Sequence, residues 1–543
     1  MTSLIKLRCN EKTFTLGTAL FFALVSNGIF IIHAWKVILF RNLHDYLFAA
    51  TVPLVLFCAF IIIVSVLSLP WLRKPLLVLL LLASAAANYF MFSFGAVIDA
   101  NMMQNVFETN MQEAASLFSY RYLLWMLIMG IIPALIVSLV NIAHPQKWLF
   151  RLVSRALYTV CAISVALLIA ACFYKDYASM IRNNRGLVKM ITPVNVVSGT
   201  GHYINTRWLA GDQALIPIGL DAKKGALAVA EKKKTLVIFV LGETGRAENF
   251  SLGGYSRETN PQLKEQGVIY YKNATSCGTE TAVSVPCMFS NMSRNDYNAN
   301  LALHQEGVLD ILSHAGINVL WRENDSGCKG ACDRIPHTDM TQWQANAFCQ
   351  KGYCQDGMLL YRLPEYIDSV KQDTLIVLHQ MGSHGPAYYL RYPPDMRKFT
   401  PTCDTNQIQD CTPQALVNTY DNSLLYTDSM LSDTIKMLKA YSDRFNVALV
   451  YLSDHGESLG EHGIYLHGTP YVFAPSQQTH IPFLFWMSPD YTRTYRVNTA
   501  CLRQKAEHDN VSQDNLFHTL LGMLNVETKE YQPGLDMMKT CRS

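Results

Sequence analysis

Long apolar runs crowd the first third of the chain, and short ones punctuate the remainder. Five stretches, at 14–35, 47–69, 75–97, 122–142 and 156–173, have the length and composition of helices that cross a bilayer core, which takes about 20 residues. The first is too long for a signal-peptide core, lacks an A-x-A cleavage site and is followed by further spans, so it reads as a retained helix. Later runs are of strand length: Thr235–Leu241, Gly316–Trp321, Thr374–Leu378 and Asn446–Leu452. Continuous apolar strands are the mark of a sheet buried on both faces. Helical segments such as Gly307–His314 and Leu416–Tyr441 lie between them, and this alternation predicts an α/β sandwich. The expected organisation is a five-helix transmembrane bundle over 1–174, a connector over 175–234 and a soluble domain over 235–543.

Charge orients this plan. Lys6, Arg8 and Lys12 precede span one, Arg73 and Lys74 separate spans two and three, and Lys147, Arg151 and Arg155 separate spans four and five. The clusters fall on one side, which the positive-inside rule makes cytoplasmic. With an odd number of spans, the soluble domain lies outside the cytoplasm. In the connector, Arg182, Arg185 and Lys189 suit a segment along anionic headgroups or a plain solvated face. The exported loop 99–120 is polar with helical spacing, and Asn105, Thr109 and Glu113 share a face at i, i+4, i+8. Two readings stand: an interfacial helix covering the bundle, or a surface for a lipid headgroup.

Composition agrees: of 543 residues 50% are apolar and only 16% charged, against about a quarter charged in ordinary soluble domains. The formal net charge of +3 gives no reason to invoke nucleic acid. Of fourteen cysteines, Cys9, Cys58, Cys161 and Cys172 lie in or beside the spans, and the other ten fall in the exported half. An even count in an oxidising compartment argues for disulfides. Short loops suggest Cys277–Cys287, Cys328–Cys332, Cys349–Cys354 and Cys403–Cys411, leaving Cys501–Cys541, with a CxxxC zinc site at Cys328/Cys332 as the competing reading.

Every predicted strand is followed by residues capable of chemistry, at the edge where open α/β sheets place their sites. Asp454 and His455 directly follow one strand and Glu243 ends another. A mixed O/N donor set without thiolate suits Zn²⁺, with Mn²⁺ a second candidate. Between Thr275 and Ser290, Gly278 permits a tight turn and hydroxyls follow at Thr279, Thr281 and Ser284. A hydroxyl on a metal at a helix start can serve as a nucleophile, and ordinary N-capping accounts for the same residues.

Four motifs then become specific: G-E-T-x-R-A-E-N-F (242–250), C-G-T-x-T-x-x-S-V-P-C-M-F-S (277–290), H-Q-M-G-S-H-G-P-A-Y (379–388) and S-D-H-G-E-S-L-G-E-x-G-x-Y-L-H-G (453–468). Together they resemble the lipid A phosphoethanolamine transferases, which include the mobile colistin-resistance enzymes and belong to the alkaline phosphatase/sulfatase superfamily. The resemblance covers essentially the whole chain. It implies Thr281 as nucleophile and Glu243, Thr281, Asp454 and His455 as ligands of one Zn²⁺. It places Lys329, His384 and His467 around the phosphoethanolamine group, the two histidines suited to proton transfer or to a second, weaker metal site. Asn105, Thr109 and Glu113 match membrane-domain positions tied to substrate, whereas Glu280 and Asp325 depart from residues found in some members and bear on substrate preference.

The activity so implied is transfer of phosphoethanolamine from phosphatidylethanolamine to a lipid A phosphate through a phosphoethanolamine-threonine intermediate, by a monomer in a Gram-negative inner membrane with a periplasmic catalytic domain. It would lower outer-surface negative charge and give resistance to polymyxin and other cationic peptides. A sister transferase acting on core sugars (Kdo or heptose) or a periplasmic glucan is the nearest rival, since no motif specifies the acceptor. A sulfatase is not expected, because Cys411-Thr-Pro-Gln-Ala415 lacks the Arg of C/S-x-P-x-R. Nor is a transporter or sensor, since the spans lack the buried charges of solute pathways.

Overall fold

The structure, a computed structural model, describes residues 8–69, 71–109, 114, 117–143, 148–205, 214–343, 345, 347–350 and 353–542. It divides into two compact units, Met1–Gln104 with Phe118–Asn205, and Asn105–Leu117 with Thr206–Ser543.

The first unit is helical. Its long members are α1 (Glu11–Leu20), α2 (Gly28–Val37), α3 (Leu43–Val66), α4 (Arg73–Phe94), α5 (Ala100–Glu108, of which the part from Asn105 belongs to the second unit), α6 (Tyr120–Leu139) and α7 (Trp148–Asn183). Four of these, α3, α4, α6 and α7, are long and apolar enough to cross a membrane, and the broken pair that includes α1 and α2 makes a fifth if it acts as one span. Leu135, Ile136, Leu167 and Leu168 remain exposed, as lipid-facing side chains would be. At one end of the unit Glu11 is buried against Arg73 (3.4 Å) and Arg155, which brings together three segments whose charges the sequence places on one side.

Two features of these helices go beyond the hydropathy pattern. The first apolar run is not one helix: it bends by 55° at Asn27. Asn27 is fully buried, donates to Phe22 O and Thr192 O at 2.8 and 2.7 Å, and accepts from Thr192 N at 3.0 Å. A polar side chain that competes for backbone groups inside an apolar run breaks the i→i−4 ladder, here through a π-turn over Phe21–Ser26. Likewise, the last helix continues past its apolar span to Asn183 through a kink at Phe173. Asp176 pairs with His44 (3.0 Å) and Tyr177 bonds Thr51 (2.9 Å), so α3 supports the polar extension. Hydropathy marks where a bilayer core ends, not where a helix does.

The second unit is built on an eight-stranded sheet: β1 (Lys234–Gly242), β2 (Ile269–Thr275), β3 (Asn318–Glu323), β4 (His337–Asp339), β5 (Thr374–His379), β6 (Phe445–Ser453), β7 (His480–Met487) and β8 (Asn510–Ser512), in the order β8-β2-β7-β6-β1-β5-β3-β4. Only β7 opposes the others, pairing antiparallel with β6 and β2. The sheet buries Val237, Phe239, Leu241, Val377, Val450 and Leu452 in one core with Phe289, Trp321 and Leu516. Register does the functional work: Ser453 pairs with Gly242, and His379 pairs with both Leu241 and Glu323. Four parallel strands thus end level, and the residues after each open onto one edge. The ten cysteines of this unit form five disulfides, Cys277–Cys287, Cys328–Cys332, Cys349–Cys354, Cys403–Cys411 and Cys501–Cys541, so Cys328 and Cys332 offer no thiolates.

Candidate active site

The level ends of β1 and β6 bring Glu243, Asp454 and His455 together, all buried, with one ligand atom from each within 4.8 Å of the others. The third contributor arrives on α8 (Thr281–Phe289). Before it the chain turns at Gly278, whose N–H donates to Ser284 Oγ at 3.1 Å. A Cβ on Gly278 would meet Val283 Cβ at 2.8 Å, so only glycine lets the turn pack against the first turn of the helix. The Cys277–Cys287 bond fastens this segment to the far end of α8. Thr281, the first helical residue, donates from Oγ1 to Glu243 Oε2 at 3.1 Å and lies 3.5 Å from His455 Nε2.

The protonation pattern defines what the cluster can hold. His455 Nδ1 faces Gly456 O at 2.8 Å and so carries the hydrogen. Burial pushes His455 down to about 4, despite the nearby Asp454 carboxylate, so the ring is neutral and Nε2 presents a lone pair. That lone pair looks at Asp454 Oδ2 (3.2 Å) and Glu243 Oε1 (3.4 Å). Asp454 Oδ1 accepts from the N–H groups of Thr244 and His455, whereas Oδ2 is buried without a hydrogen-bond partner among the described residues. Carboxylate oxygens and an imidazole lone pair that face one another in buried space suit a cation. Glu243, Asp454, His455 and the Thr281 hydroxyl fit a divalent metal.

Around this cluster stand the other expected residues. His467 packs against His455 and His384, with ring centroids 4.5 and 5.2 Å apart. Lys329 sits in the loop closed by Cys328–Cys332 with φ of 53°, and its Nζ donates to Ser326 O and Oγ, both at 3.0 Å, 3.9 Å from Glu108 Oε2. Asp325 N–H donates to Glu323 Oε1 at 2.8 Å, and its carboxylate faces His379 Nε2 at 3.7 Å. Burial disfavours charge on His379, but Glu323, Asp325 and Asp454 outweigh it and push the imidazole up to about 9. Asn105 donates to Glu280 Oε2 at 3.1 Å. The described helix ends at Glu108. Thr109 follows it, with both its N–H and its hydroxyl on Asn105 O, and Glu113 lies outside the described residues.

Sequence reasoning missed the partners of these groups. Glu457, fully buried, accepts from Tyr388 OH at 2.5 Å and pairs with His467 Nδ1 at 2.8 Å. Its signal lay in the D-H-G-E motif, two residues past His455. Glu323 and His379, a pair 2.9 Å apart, gave a signal only as the last residues of β3 and β5.

Comparison with known proteins supplies the family. Residues 56–208 match the family "Phosphoethanolamine transferase EptA/EptB", and residues 235–526 match the sulfatase family. The chain is 47% identical over 533 residues to phosphoethanolamine transferase EptA of Escherichia coli K12, covering 98% of this chain and 97% of the relative. It is 38% identical over 450 residues to phosphatidylethanolamine transferase Mcr-1 of Escherichia coli, covering 81% and 83%. Among solved structures, the integral membrane lipooligosaccharide phosphoethanolamine transferase A of Neisseria meningitidis superposes with a TM-score of 0.94 at 37% identity, over 99% of both chains. With both units matched and such identity along nearly its full length, the chain belongs to the phosphoethanolamine transferase family EptA/EptB.

Proposed function

We propose that this enzyme transfers phosphoethanolamine from phosphatidylethanolamine to a phosphate of lipid A in two steps, with Thr281 carrying the group between them. The observation that carries the reading is the Thr281 hydroxyl, 3.1 Å from Glu243, beside the buried cluster of Glu243, Asp454 and His455. When bound by Glu243, Thr281, Asp454 and His455, a divalent ion, Zn²⁺ by its donor set, supplies Lewis acidity that lowers the proton affinity of the hydroxyl and offsets phosphoryl charge.

The rest is work for the chain's own residues. Thr281 Oγ1 attacks the phosphorus of phosphatidylethanolamine and gives up its proton to His384 or His467, the bond to the diacylglycerol oxygen breaks, and the same histidine passes that proton to this oxygen. Lys329 holds the non-bridging oxygens. A lipid A phosphate oxygen, already anionic, then attacks the same phosphorus, the bond to Thr281 Oγ1 breaks, and the histidine, reprotonated from solvent, returns a proton to Thr281. Asn105, Thr109 and Glu113 orient the donor headgroup. In this reading the broken helix α1–α2 acts as one of five spans, the N-terminus is cytoplasmic, and the monomeric enzyme works on the periplasmic face of the inner membrane, where both substrates are lipids. An added ammonium reduces the negative charge of the outer surface and so weakens capture of polymyxin and similar cationic peptides.

Mass spectrometry of lipid A from cells with and without the enzyme tests the reading. One added phosphoethanolamine per modified phosphate is expected. Addition confined to core sugar or to a periplasmic glucan would contradict the acceptor.

A further inference from the structure

We propose that Glu243, Asp325 and His379 form a second divalent-cation site, beside the first and sharing the Glu243 carboxylate with it. The three residues come from the ends of three adjacent strands, β1, β3 and β5, all are buried, and one ligand atom from each lies within 4.8 Å of the others.

The orientation of His379 carries the argument. Its Nδ1 is engaged by Glu323, 2.9 Å from Oε1 and 3.0 Å from Oε2. Glu323 is itself fixed by Trp321 Nε1–H at 2.7 Å and the Asp325 N–H at 2.8 Å. With Nδ1 donating, Nε2 points the other way, fully buried and without a hydrogen-bond partner among the described residues. It stands 3.7 Å from Asp325 Oδ2, too far for a hydrogen bond. That is a separation two ligands of one ion take up, since ligands at about 2.0–2.2 Å from a metal lie roughly 3–4 Å apart. A histidine that gives one N–H to a fixed carboxylate and aims its other nitrogen at further carboxylate oxygen is the arrangement that orients metal-bound imidazoles.

Charge points the same way. Glu243, Glu323, Asp325 and Asp454 concentrate negative charge in a corner closed to water, and a proton on His379 or a metal ion is what can balance it. Oxygen, oxygen and imidazole nitrogen without thiolate suit Zn²⁺ or Mn²⁺. The site deepens the proposed function and rests on that reading for Glu243 as a shared ligand, but it needs neither Thr281 nor the acceptor assignment. Two ions flanking Glu243 would form a paired clamp on the transferring phosphoryl group.

Anomalous diffraction from crystals of the full-length enzyme, soaked in Mn²⁺ or Zn²⁺, decides the matter together with metal analysis of two variants. Two peaks are expected, one among Glu243, Asp454 and His455 and the other within bonding distance of His379 Nε2 and an Asp325 oxygen. Asp325→Asn, which keeps the shape of the side chain, should remove the second peak and lower bound metal from about two ions per chain to about one. Asp454→Asn should remove the first peak and spare the second. A peak at Asp454 and His455 alone, with His379 held as imidazolium, overturns the second site and leaves the first standing. So does a second ion on His384 and His467 instead. A peak at Asp325 and His379 alone keeps the second site and refutes the first, and no peak at either place refutes both.

Discussion

The hydroxyl of Thr281 donates to Glu243 Oε2 across 3.1 Å, joining the first residue of a helix to the residue that follows the central strand of the sheet. This contact fixes the side chain that the proposed reaction uses as nucleophile. Thr281→Ala should lower transfer about a thousandfold or more, with metal content close to that of the parent, because three other donors remain. Thr281→Ser should keep a measurable fraction of the rate. The assay is lipid-to-lipid transfer alongside metal analysis, and near-normal transfer by the alanine variant would refute the role.

Metal dependence follows from the donor set at Asp454 and His455. Chelation should abolish transfer, and added Zn²⁺ should restore it. Asp454→Asn should lose both the metal bound at this position and the activity while keeping the five disulfides of the second unit. Full turnover without bound metal would show that the cluster is structural.

Glu457 holds His467 from behind, 2.8 Å from Nδ1, and is held in turn by Tyr388. Glu457→Gln should therefore act through the histidine, cutting the turnover number about 10- to 100-fold with little change in the Michaelis constant. Glu457→Asp should recover part of the loss. A variant that merely unfolds would lose its cooperative melting transition, and full turnover in a folded Glu457→Gln would disprove the positioning role.

The stability of the second unit should depend on pH through His518. Burial pushes this imidazole down to about 4 from its usual 6.5, and its Nδ1 accepts the Gln532 N–H at 3.1 Å. Between those values the unfolded chain binds a proton that the folded one does not, so stability is complete above about 6.5 and is lost as pH falls toward 4. The difference amounts to at most about 3 kcal/mol. Thermal unfolding at pH 7.5 and 5 checks it. The fall should be smaller in His518→Gln, and an equal fall in both proteins would rule His518 out as its source.

How far the sequence could be read depended on whether a feature was local. The apolar runs of β1, β5 and β6 are continuous, and Glu243 and Asp454-His455 follow them directly, so strand and ligand could be read together. The break at Asn27 was hidden because its cause is Thr192, 165 residues away. The Glu457–His467 and Glu323–His379 pairs were hidden for a related reason: each residue alone is an ordinary polar side chain, and only the register of neighbouring strands or the folding of a loop makes them partners. The strands Ile269–Thr275 and His480–Met487 are less legible, because the first is interrupted by the polar Lys272-Asn273 and the second carries Pro482, a residue that argues against a central strand.

The central claim is that Thr281 carries the phosphoethanolamine group, and trapping that intermediate tests it most directly. The full-length enzyme, loaded with Zn²⁺ and given phosphatidylethanolamine but no acceptor, should be quenched in acid and mapped by peptide mass spectrometry. One phosphoethanolamine ester is expected on the peptide containing Thr281, and it should disappear when lipid A is added before the quench. An adduct on another residue, or transfer at the normal rate with no adduct on Thr281 under any quench condition, would contradict it.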